Sequence, residues 1–127
     1  KEQAVQQVSQ AGASMSASDS ELALLAAIIQ CEAGGESHTG KVAVGAVIMN
    51  RVRSSQFPNS ITEVVYQSGQ FSPVASGIHS SVLSQGARSD CYQAAQEALA
   101  GSNPIGSALY FNSGSGRGQQ IGNQHFY

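Results

Sequence analysis

Charged residues are scarce in this sequence: six Lys and Arg stand beside eight Asp and Glu among 127 residues, and the net charge is −2. Nucleic-acid binding depends on clustered cations that release counterions from phosphates. No such cluster is visible, so we expect no nucleic-acid partner. Long hydrophobic runs are also lacking. The longest, Leu22 to Ile29, is far shorter than the roughly 20 residues of a membrane-spanning helix, so we expect no membrane insertion.

Tryptophan is absent and cysteine occurs only twice, at Cys31 and Cys91. Their wide separation excludes the closely spaced cysteines of zinc ribbons and thioredoxin-like sites. Two interpretations remain, a disulfide or two packed thiols, and we expect the disulfide. It would close a long loop, stabilise the fold by roughly 4 kcal/mol in the chain-entropy model, and indicate an oxidising, extracellular compartment.

Several common catalytic signatures are missing as well. The three histidines, His38, His79 and His125, have neither the i, i+4 spacing nor the neighbouring Cys or Asp of a zinc site. No Gly-x-Ser-x-Gly sequence is present to form a nucleophile elbow. The glycines from Gly114 to Gly118 lack the flanking strand and helix of a phosphate-binding loop. We therefore expect neither a metal nor another cofactor.

What remains is a sequence rich in Ser, Gly, Ala and Gln, with 41% hydrophobic residues. That is enough apolar material for one compact core, and the length is too short for two ordinary domains. We interpret residues 1–17 as a linker and residues 18–127 as the folded domain. Because the chain begins at Lys1 rather than at Met, we expect a monomeric domain of a longer protein.

Helical periodicity and capping signals predict a mainly α-helical fold. Ser18 and Glu21 form a capping box before a helix that runs to about Ala33, where a left-handed Gly34 or Gly35 is expected to end it. The other predicted elements are a central helix over Thr39–Arg53, a short helix after the Ser60 and Glu63 capping box, a surface loop over Gln67–Gly77, one or two turns over Ser80–Gln85, and a helix over Asp90–Ala100.

The C-terminal residues change in character. Ala108–Phe111 and Gln120–Tyr127 are β-prone and flank the Gly- and Ser-rich residues 113–118. This arrangement predicts one β-hairpin with a flexible tip, which makes the expected class α+β.

Glu32 is the residue with the clearest chemical potential, because it lies in the last turn of an otherwise apolar helix. Apolar neighbours remove water from the carboxylate and the helix C-terminus carries partial negative charge, so both effects raise its pKa. A raised pKa suits a general acid at neutral pH. The alternative is a structural Glu that is paired with Lys41, Arg51 or Arg53. The residues by themselves leave both interpretations open and favour the structural one.

A second catalytic carboxylate, which ordinary glycosidases use, is not evident. Glu36 lies four residues after Glu32, but the two intervening glycines are expected to break the helix, so the two side chains need not share a face. We interpret Glu36 as an acidic residue near the start of the next helix, where the helix dipole favours it.

In order along the chain, several blocks resemble the spore cortex-lytic and cell wall hydrolase family of spore-forming bacteria. The blocks are Ala27–Glu36, Gly40–Val52, Phe57–Asn59, Gln70–Val74, Ala108–Phe111 and Ile121–Phe126, so the resemblance covers roughly Glu21 to Tyr127. One departure is that the segment between Phe111 and Ile121 is shorter than in many relatives, which puts part of the substrate-binding wall in question.

The resemblance implies a lysozyme- and lytic transglycosylase-like helical core with Glu32 as the catalytic acid and base. The implied reaction cleaves the β-1,4 bond between N-acetylmuramic acid and N-acetylglucosamine in peptidoglycan. Glu32 would protonate the leaving oxygen and then take the proton of the muramyl C6 hydroxyl, which gives a 1,6-anhydro product. Because the substrate's own hydroxyl attacks, no second carboxylate is needed to activate water.

Further expectations follow from the resemblance. The partner would be the glycan strand of peptidoglycan, and the protein would be secreted and associated with the cell wall or the spore. Polar residues in or beside the matched blocks would line the sugar cleft, or would instead be satisfied within loops and strands: Gln70, Ser72, Tyr110, Asn112 and Glu36. Two alternatives stay open, a hydrolysing muramidase or glucosaminidase and a non-catalytic wall-binding module.

Overall fold

The structure is a computed structural model that describes residues 17–114 and 116–127. Its described residues form six helices and three short strands: α1 Asp19–Ala33, α2 His38–Arg53, α3 Ile61–Val65, α4 Ser72–Ser76, α5 Ile78–Gln85, α6 Ser89–Leu99, β1 Phe111–Asn112, β2 Gln119–Ile121 and β3 Gln124–Phe126. None of the described helices has the length and apolarity required to cross a bilayer. Of the predicted linker, only Ala17 lies within the described residues, and it is buried.

The helix α1 begins as the capping box predicts. The Ser18 hydroxyl accepts a hydrogen bond from the Glu21 backbone N–H at 3.2 Å, which satisfies one of the free donors of the first turn. The C-terminal prediction was wrong, because Gly34 has right-handed geometry with φ −59° and Gly35 has no positive φ. Side chains from elsewhere bind the last carbonyls of α1, so the left-handed cap is not needed.

The helix α2 is central, as predicted, and all its residues except His38, Thr39, Asn50 and Arg53 are buried. It packs against both α1 and α6. Gly45 allows this close approach, since a Cβ at this position would lie 2.8 Å from the Ala98 Cβ and 3.2 Å from the Ile29 Cδ1. The three helices therefore meet at a point where only a hydrogen atom fits.

The middle of the chain is more helical than predicted. The expected loop over residues 67–77 contains α4, whose Pro73 lies in the first turn, where its missing N–H costs no hydrogen bond. Gly77 is left-handed with φ 89° and separates α4 from α5. The latter begins at Ile78 and forms two turns, because the side chain of His79 is buried against α1 and bonds to the Leu24 carbonyl at 3.2 Å.

The C-terminal sheet has three antiparallel strands in the order β1-β3-β2. The predicted hairpin across residues 113–118 was therefore only partly right: β2 and β3 form the hairpin through a turn at Gly122, which has φ 60°. The strand β1 pairs with the other edge of β3, and Phe111 lies opposite Phe126. The centroid of the Phe111 ring lies 5.9 Å from that of Phe126 and 6.3 Å from that of Phe71. These aromatic contacts join the sheet to the helical core.

The expectation of a disulfide was wrong, because Cys31 and Cys91 are free thiols. They lie on α1 and α6, which pack together, and Cys91 is completely buried. Burial raises the pKa of both thiols, which disfavours the thiolate that thiol exchange requires. The two residues act as small core side chains, and the inference of an extracellular compartment from a disulfide is not supported.

We predict that Gly45→Ala destabilises the domain although alanine is the better helix former. The added methyl group must displace Ala98 and Ile29, and overpacking of this kind costs about 1 to 3 kcal/mol. Thermal unfolding should show a melting temperature several degrees lower. The control is Gly35→Ala, whose new methyl group meets no atom within 4 Å; an equal loss for both variants would contradict the packing argument.

Candidate active site

Glu32 lies in the last turn of α1 with its side chain half-buried. Burial raises the pKa of its carboxyl group above the ordinary value of 4.5. Among the residues that the structure describes, none donates a hydrogen bond to this carboxyl group and no cation lies within ion-pair distance of it. Each of the other partly buried acids in the described chain accepts a hydrogen bond from protein: Glu21, Glu36, Asp90 and Glu97.

The backbone beneath Glu32 is held firmly. The Gln124 amide donates from Nε2 to the Glu32 carbonyl oxygen at 2.9 Å, and Gln124 is only 7% exposed. The last carbonyls of a helix have no partner within the helix, so this bond both satisfies one of them and fixes β3 against the end of α1. The Gln124 Oε1 is buried and has no partner among the described residues.

Two cations bind the next carbonyls of the same turn. Arg88 donates from Nη2 to the Gly34 oxygen at 2.7 Å, and Lys41 donates from Nζ to the Glu36 oxygen at 2.6 Å. Positive charge at a helix C-terminus is favourable. Asp90 contacts both cations, with 3.1 Å to the Arg88 Nε and 3.5 Å to the Lys41 Nζ. Its hydrogen bond with Arg88 is the main reason that the pKa of Asp90 falls to about 2.

The salt-bridged interpretation of Glu32 required Lys41, Arg51 or Arg53 as a partner, and the structure contradicts it. Lys41 is committed to Glu36 and Asp90. Arg51 is buried and donates to the Leu109 carbonyl at 2.7 Å. Its guanidinium lies 4.8 to 5.4 Å from the centres of three aromatic rings, those of Phe57, Phe71 and Tyr110. Arg53 donates to the Asn50 side chain at 3.1 Å.

Glu36 lies two residues before α2, near the helix start as predicted, but its carboxylate binds a residue of the β2–β3 turn. Its carboxylate accepts hydrogen bonds from the Asn123 backbone N–H at 3.2 Å and from the Asn123 side chain at 3.4 Å. The α2 N-cap is instead Ser37, whose hydroxyl accepts from the Gly40 N–H. A Cβ on Gly122 would overlap the Glu36 carboxylate, so the β2–β3 turn fits tightly onto this side chain. Glu36 therefore ties the sheet to the turn that follows Glu32.

Within the described residues, none of the other candidate site residues forms a hydrogen bond with the Glu32 carboxyl group. Gln70 accepts a hydrogen bond from Arg51 Nη1 at 3.1 Å. Asn112 donates to the Tyr127 hydroxyl at 3.1 Å and accepts from the Gly114 N–H at 2.9 Å. Three candidates have exposed side chains: Gln70, Ser72 at the start of α4, and Tyr110, which is 41% exposed. Their contact with substrate stays a prediction.

The side chains that hold the turn after Glu32 were not predicted from the sequence. Gln124 belongs to the matched block Ile121–Phe126, but no local pattern indicates that its amide reaches a residue so far back in the chain. No sequence pattern indicates that Arg88 and Lys41 bind these carbonyls either, because a cation near the end of a predicted helix is usually solvated. Their role arises only when α6 packs beside α1.

The sequence matches the Cell Wall Hydrolase family over residues 35–127. The chain belongs to that family. Among similar proteins, a spore cortex-lytic enzyme of Bacillus cereus is 36% identical over 94 residues, which are 74% of this chain and 35% of the relative. A spore cortex-lytic enzyme of Bacillus subtilis is 37% identical over 94 residues, 74% of this chain and 30% of that protein. The chain thus spans about a third of the length of these relatives.

Two solved structures are also similar. The catalytic domain of the germination-specific lytic transglycosylase SleB from Bacillus anthracis superposes with a TM-score of 0.78 and 29% identity, over 87% of this chain and 95% of that one. The catalytic domain of SleB from Bacillus cereus superposes with a TM-score of 0.76 and is 30% identical, over 86% of this chain and 90% of that one. The predicted helical, lytic transglycosylase-like fold is confirmed, and the chain is an enzyme domain of the cell wall hydrolase type. The family match begins after Glu32. A role for this residue is therefore inferred from its burial and contacts in the structure.

We predict that Glu32→Gln stabilises the domain at neutral pH. The folded-state pKa is raised, so the folded state holds its proton more tightly than the unfolded chain, and stability falls as the pH rises from the unfolded pKa through the folded one. The amide cannot ionise and avoids this loss. In a pH series, the melting temperature of the variant should exceed that of the wild type at neutral pH, and the two should become equal below pH 4.5.

The matched control is Glu63→Gln, which removes an exposed carboxylate that accepts from Ser60 at the start of α3. It should give no gain at neutral pH. A wild-type domain as stable as Glu32→Gln at neutral pH would contradict the burial argument.

Proposed function

We propose that this domain cleaves the glycan strands of peptidoglycan between N-acetylmuramic acid and N-acetylglucosamine, with Glu32 as the single acid and base of a lytic transglycosylase reaction. One observation carries the proposal: Glu32 is a half-buried carboxyl group without a protein partner on a firmly held turn, while the other partly buried acids of the described chain are engaged. Supporting it, the solved SleB domains of similar fold are described as catalytic, and one as a lytic transglycosylase.

The raised pKa of Glu32 fits the first step. The protonated carboxyl donates its proton to the glycosidic oxygen, the bond from that oxygen to the muramyl C1 breaks, and positive charge develops on the sugar ring. Desolvation is the cause of the shift, so the carboxyl group keeps its proton to higher pH than an exposed glutamate. The neutral acid is thus available where a solvated one would have ionised.

The second step uses the same residue as a base. The Glu32 carboxylate takes the proton of the muramyl C6 hydroxyl, and the C6 oxygen bonds to C1 to form the 1,6-anhydro ring. Glu32 returns to its protonated state and the atoms balance without water. This mechanism agrees with the commitment of Glu36 to Asn123, because it requires no second carboxylate.

The relatives indicate the biological setting. Their description as spore cortex-lytic enzymes favours peptidoglycan of the spore as the substrate and a spore-associated site of action for this chain. A vegetative cell wall contains the same glycosidic bond, so digestion of both kinds of purified peptidoglycan would distinguish the two settings.

We predict that Glu32→Gln abolishes cleavage, because the amide has the size of the acid but cannot donate a proton to the leaving oxygen. The loss should be on the order of 10² to 10⁴ in rate or greater, since one group serves both steps. Loss of turbidity of purified peptidoglycan measures it. Near wild-type cleavage by a folded Glu32→Gln protein would refute the assignment.

The comparison variant is Glu36→Gln, which keeps an acceptor for Asn123. It should lower the rate much less than Glu32→Gln does. Equal losses at both positions with folding retained would instead indicate two catalytic carboxylates and a hydrolytic reaction.

The products provide a separate test of mechanism. Mass spectrometry of the released fragments should show 1,6-anhydromuramic ends, which are one water lighter than reducing ends. Reducing muramic or glucosamine ends would identify the alternative, a hydrolysing muramidase or glucosaminidase.

We also predict a specific pH dependence. Because the first step needs the protonated carboxyl, cleavage should decline as the pH rises through a pKa that is above the ordinary value of 4.5. A pH profile of the rate on soluble glycan fragments measures this limb, and a decline already complete at pH 4.5 would contradict it.

A further inference from the structure

Two cavities share a wall formed by residues that precede β1. The larger, about 530 Å³, is lined by Ser107, Leu109, Tyr110, Arg117 and Tyr127. The smaller, about 290 Å³, is lined by Asn50, Arg53, Ser54, Ser107 and Leu109. Because Ser107 and Leu109 line both, the cavities are adjacent, and we name the two together the arginine groove after Arg53 and Arg117.

The cations of the described chain fall into two groups. Lys41, Arg51 and Arg88 donate hydrogen bonds to backbone carbonyls. Arg53 and Arg117 are exposed, and neither has an acidic partner among the described residues. These two unpaired cations both line the arginine groove. In a domain with so few positive charges, this placement gives the groove a local potential that attracts anions.

The larger cavity is organised around aromatic rings. The Tyr110 and Tyr127 rings are stacked at 5.6 Å between centroids, and the Arg117 guanidinium lies 4.2 Å from the centre of the Tyr127 ring. The Asn112 amide donates to the Tyr127 hydroxyl, which fixes the ring. The guanidinium is thus positioned while its outer N–H groups stay free to bind a carboxylate.

The strand β3 connects this groove to the candidate acid. Its first residue, Gln124, binds the Glu32 carbonyl, and Tyr127, directly after its end, lines the groove. Three residues of extended chain separate their backbones by about 10 Å. The groove and the Glu32 backbone therefore contact opposite ends of one short strand.

We propose that the arginine groove binds the carboxylate-bearing peptide stem of peptidoglycan, with Arg53 and Arg117 contacting its carboxylates and the tyrosine pair packing against its apolar groups. The identity of the ligand rests on the proposed function. Guanidinium groups bind carboxylates through two parallel hydrogen bonds, and the mixture of aromatic rings with two cations suits an anionic peptide better than a bare, neutral glycan. The groove would then hold the stem while the glycan strand lies at Glu32.

Sedimentation of the protein with purified, teichoic acid-free peptidoglycan tests this proposal. All proteins carry Glu32→Gln, so that binding is measured without cleavage. The peptidoglycan is used either untreated or after its carboxyl groups are amidated with ethanolamine. Relative to the Glu32→Gln protein, Arg53→Gln/Arg117→Gln should bind untreated peptidoglycan about tenfold more weakly, which corresponds to roughly 1.4 kcal/mol. Amidation should weaken the parent by a similar factor and leave the double variant unchanged.

Two further variants separate a specific contact from net charge and from misfolding. Ser80→Glu/Ser84→Glu lowers the net charge by the same amount on exposed positions of α5 and should bind like the parent. Arg53→Lys/Arg117→Lys keeps the charge and should recover part of the binding. Melting temperatures confirm folding.

Three results would overturn the proposal: undiminished binding of the amidated wall by the parent, an unchanged affinity of the Arg53→Gln/Arg117→Gln variant, or equal weakening by the α5 variant. Release of soluble fragments by any Glu32→Gln protein would instead refute the catalytic assignment. Because fragments are measured in the supernatant and binding in the pellet, the two failures are distinguishable.

Discussion

The arrangement on which the site depends is the set of side-chain hydrogen bonds to the carbonyls that end α1. A helix C-terminus is electron-rich. Gln124 from the sheet binds the Glu32 carbonyl, Arg88 from the residue before α6 binds the carbonyl of the C-cap Gly34, and Lys41 from α2 binds the Glu36 carbonyl just beyond the helix. These three donors come from separate parts of the chain. Glu32 lies in the turn that they hold, so its position depends on the docking of β3, α6 and α2.

Partner assignment among the charged residues explains why the Glu32 carboxyl group is left without a protein partner in the described chain. Asp90 occupies Lys41 and Arg88, and the aromatic rings and the Leu109 carbonyl occupy Arg51. No cation of the described residues pairs with Glu32 to lower its pKa, and burial raises that pKa. An unpaired buried acid opposes folding, and the domain accepts that cost at the position where a proton donor is useful.

The differences from the sequence-based expectations have a common physical origin. Gly34 is right-handed and the hairpin lies between β2 and β3 because long-range partners replaced the local ones that the patterns assume. The two cysteines are free although their helices are neighbours, since close packing does not require a bond. By contrast, the Ser18 and Ser60 caps formed as predicted, because a capping bond spans only three residues.

The sequence by itself determined the elements governed by near neighbours: the start of α1, the central apolar α2, the helical class and the placing of Glu32 at a helix end. Ordered blocks also indicated the family. Only the tertiary structure decided that Glu36 holds the Asn123 turn, that Gln124 supports Glu32, and that Arg53 and Arg117 share one groove. Such contacts join residues dozens of positions apart, and they depend on how the helices and the sheet pack, which no local pattern encodes.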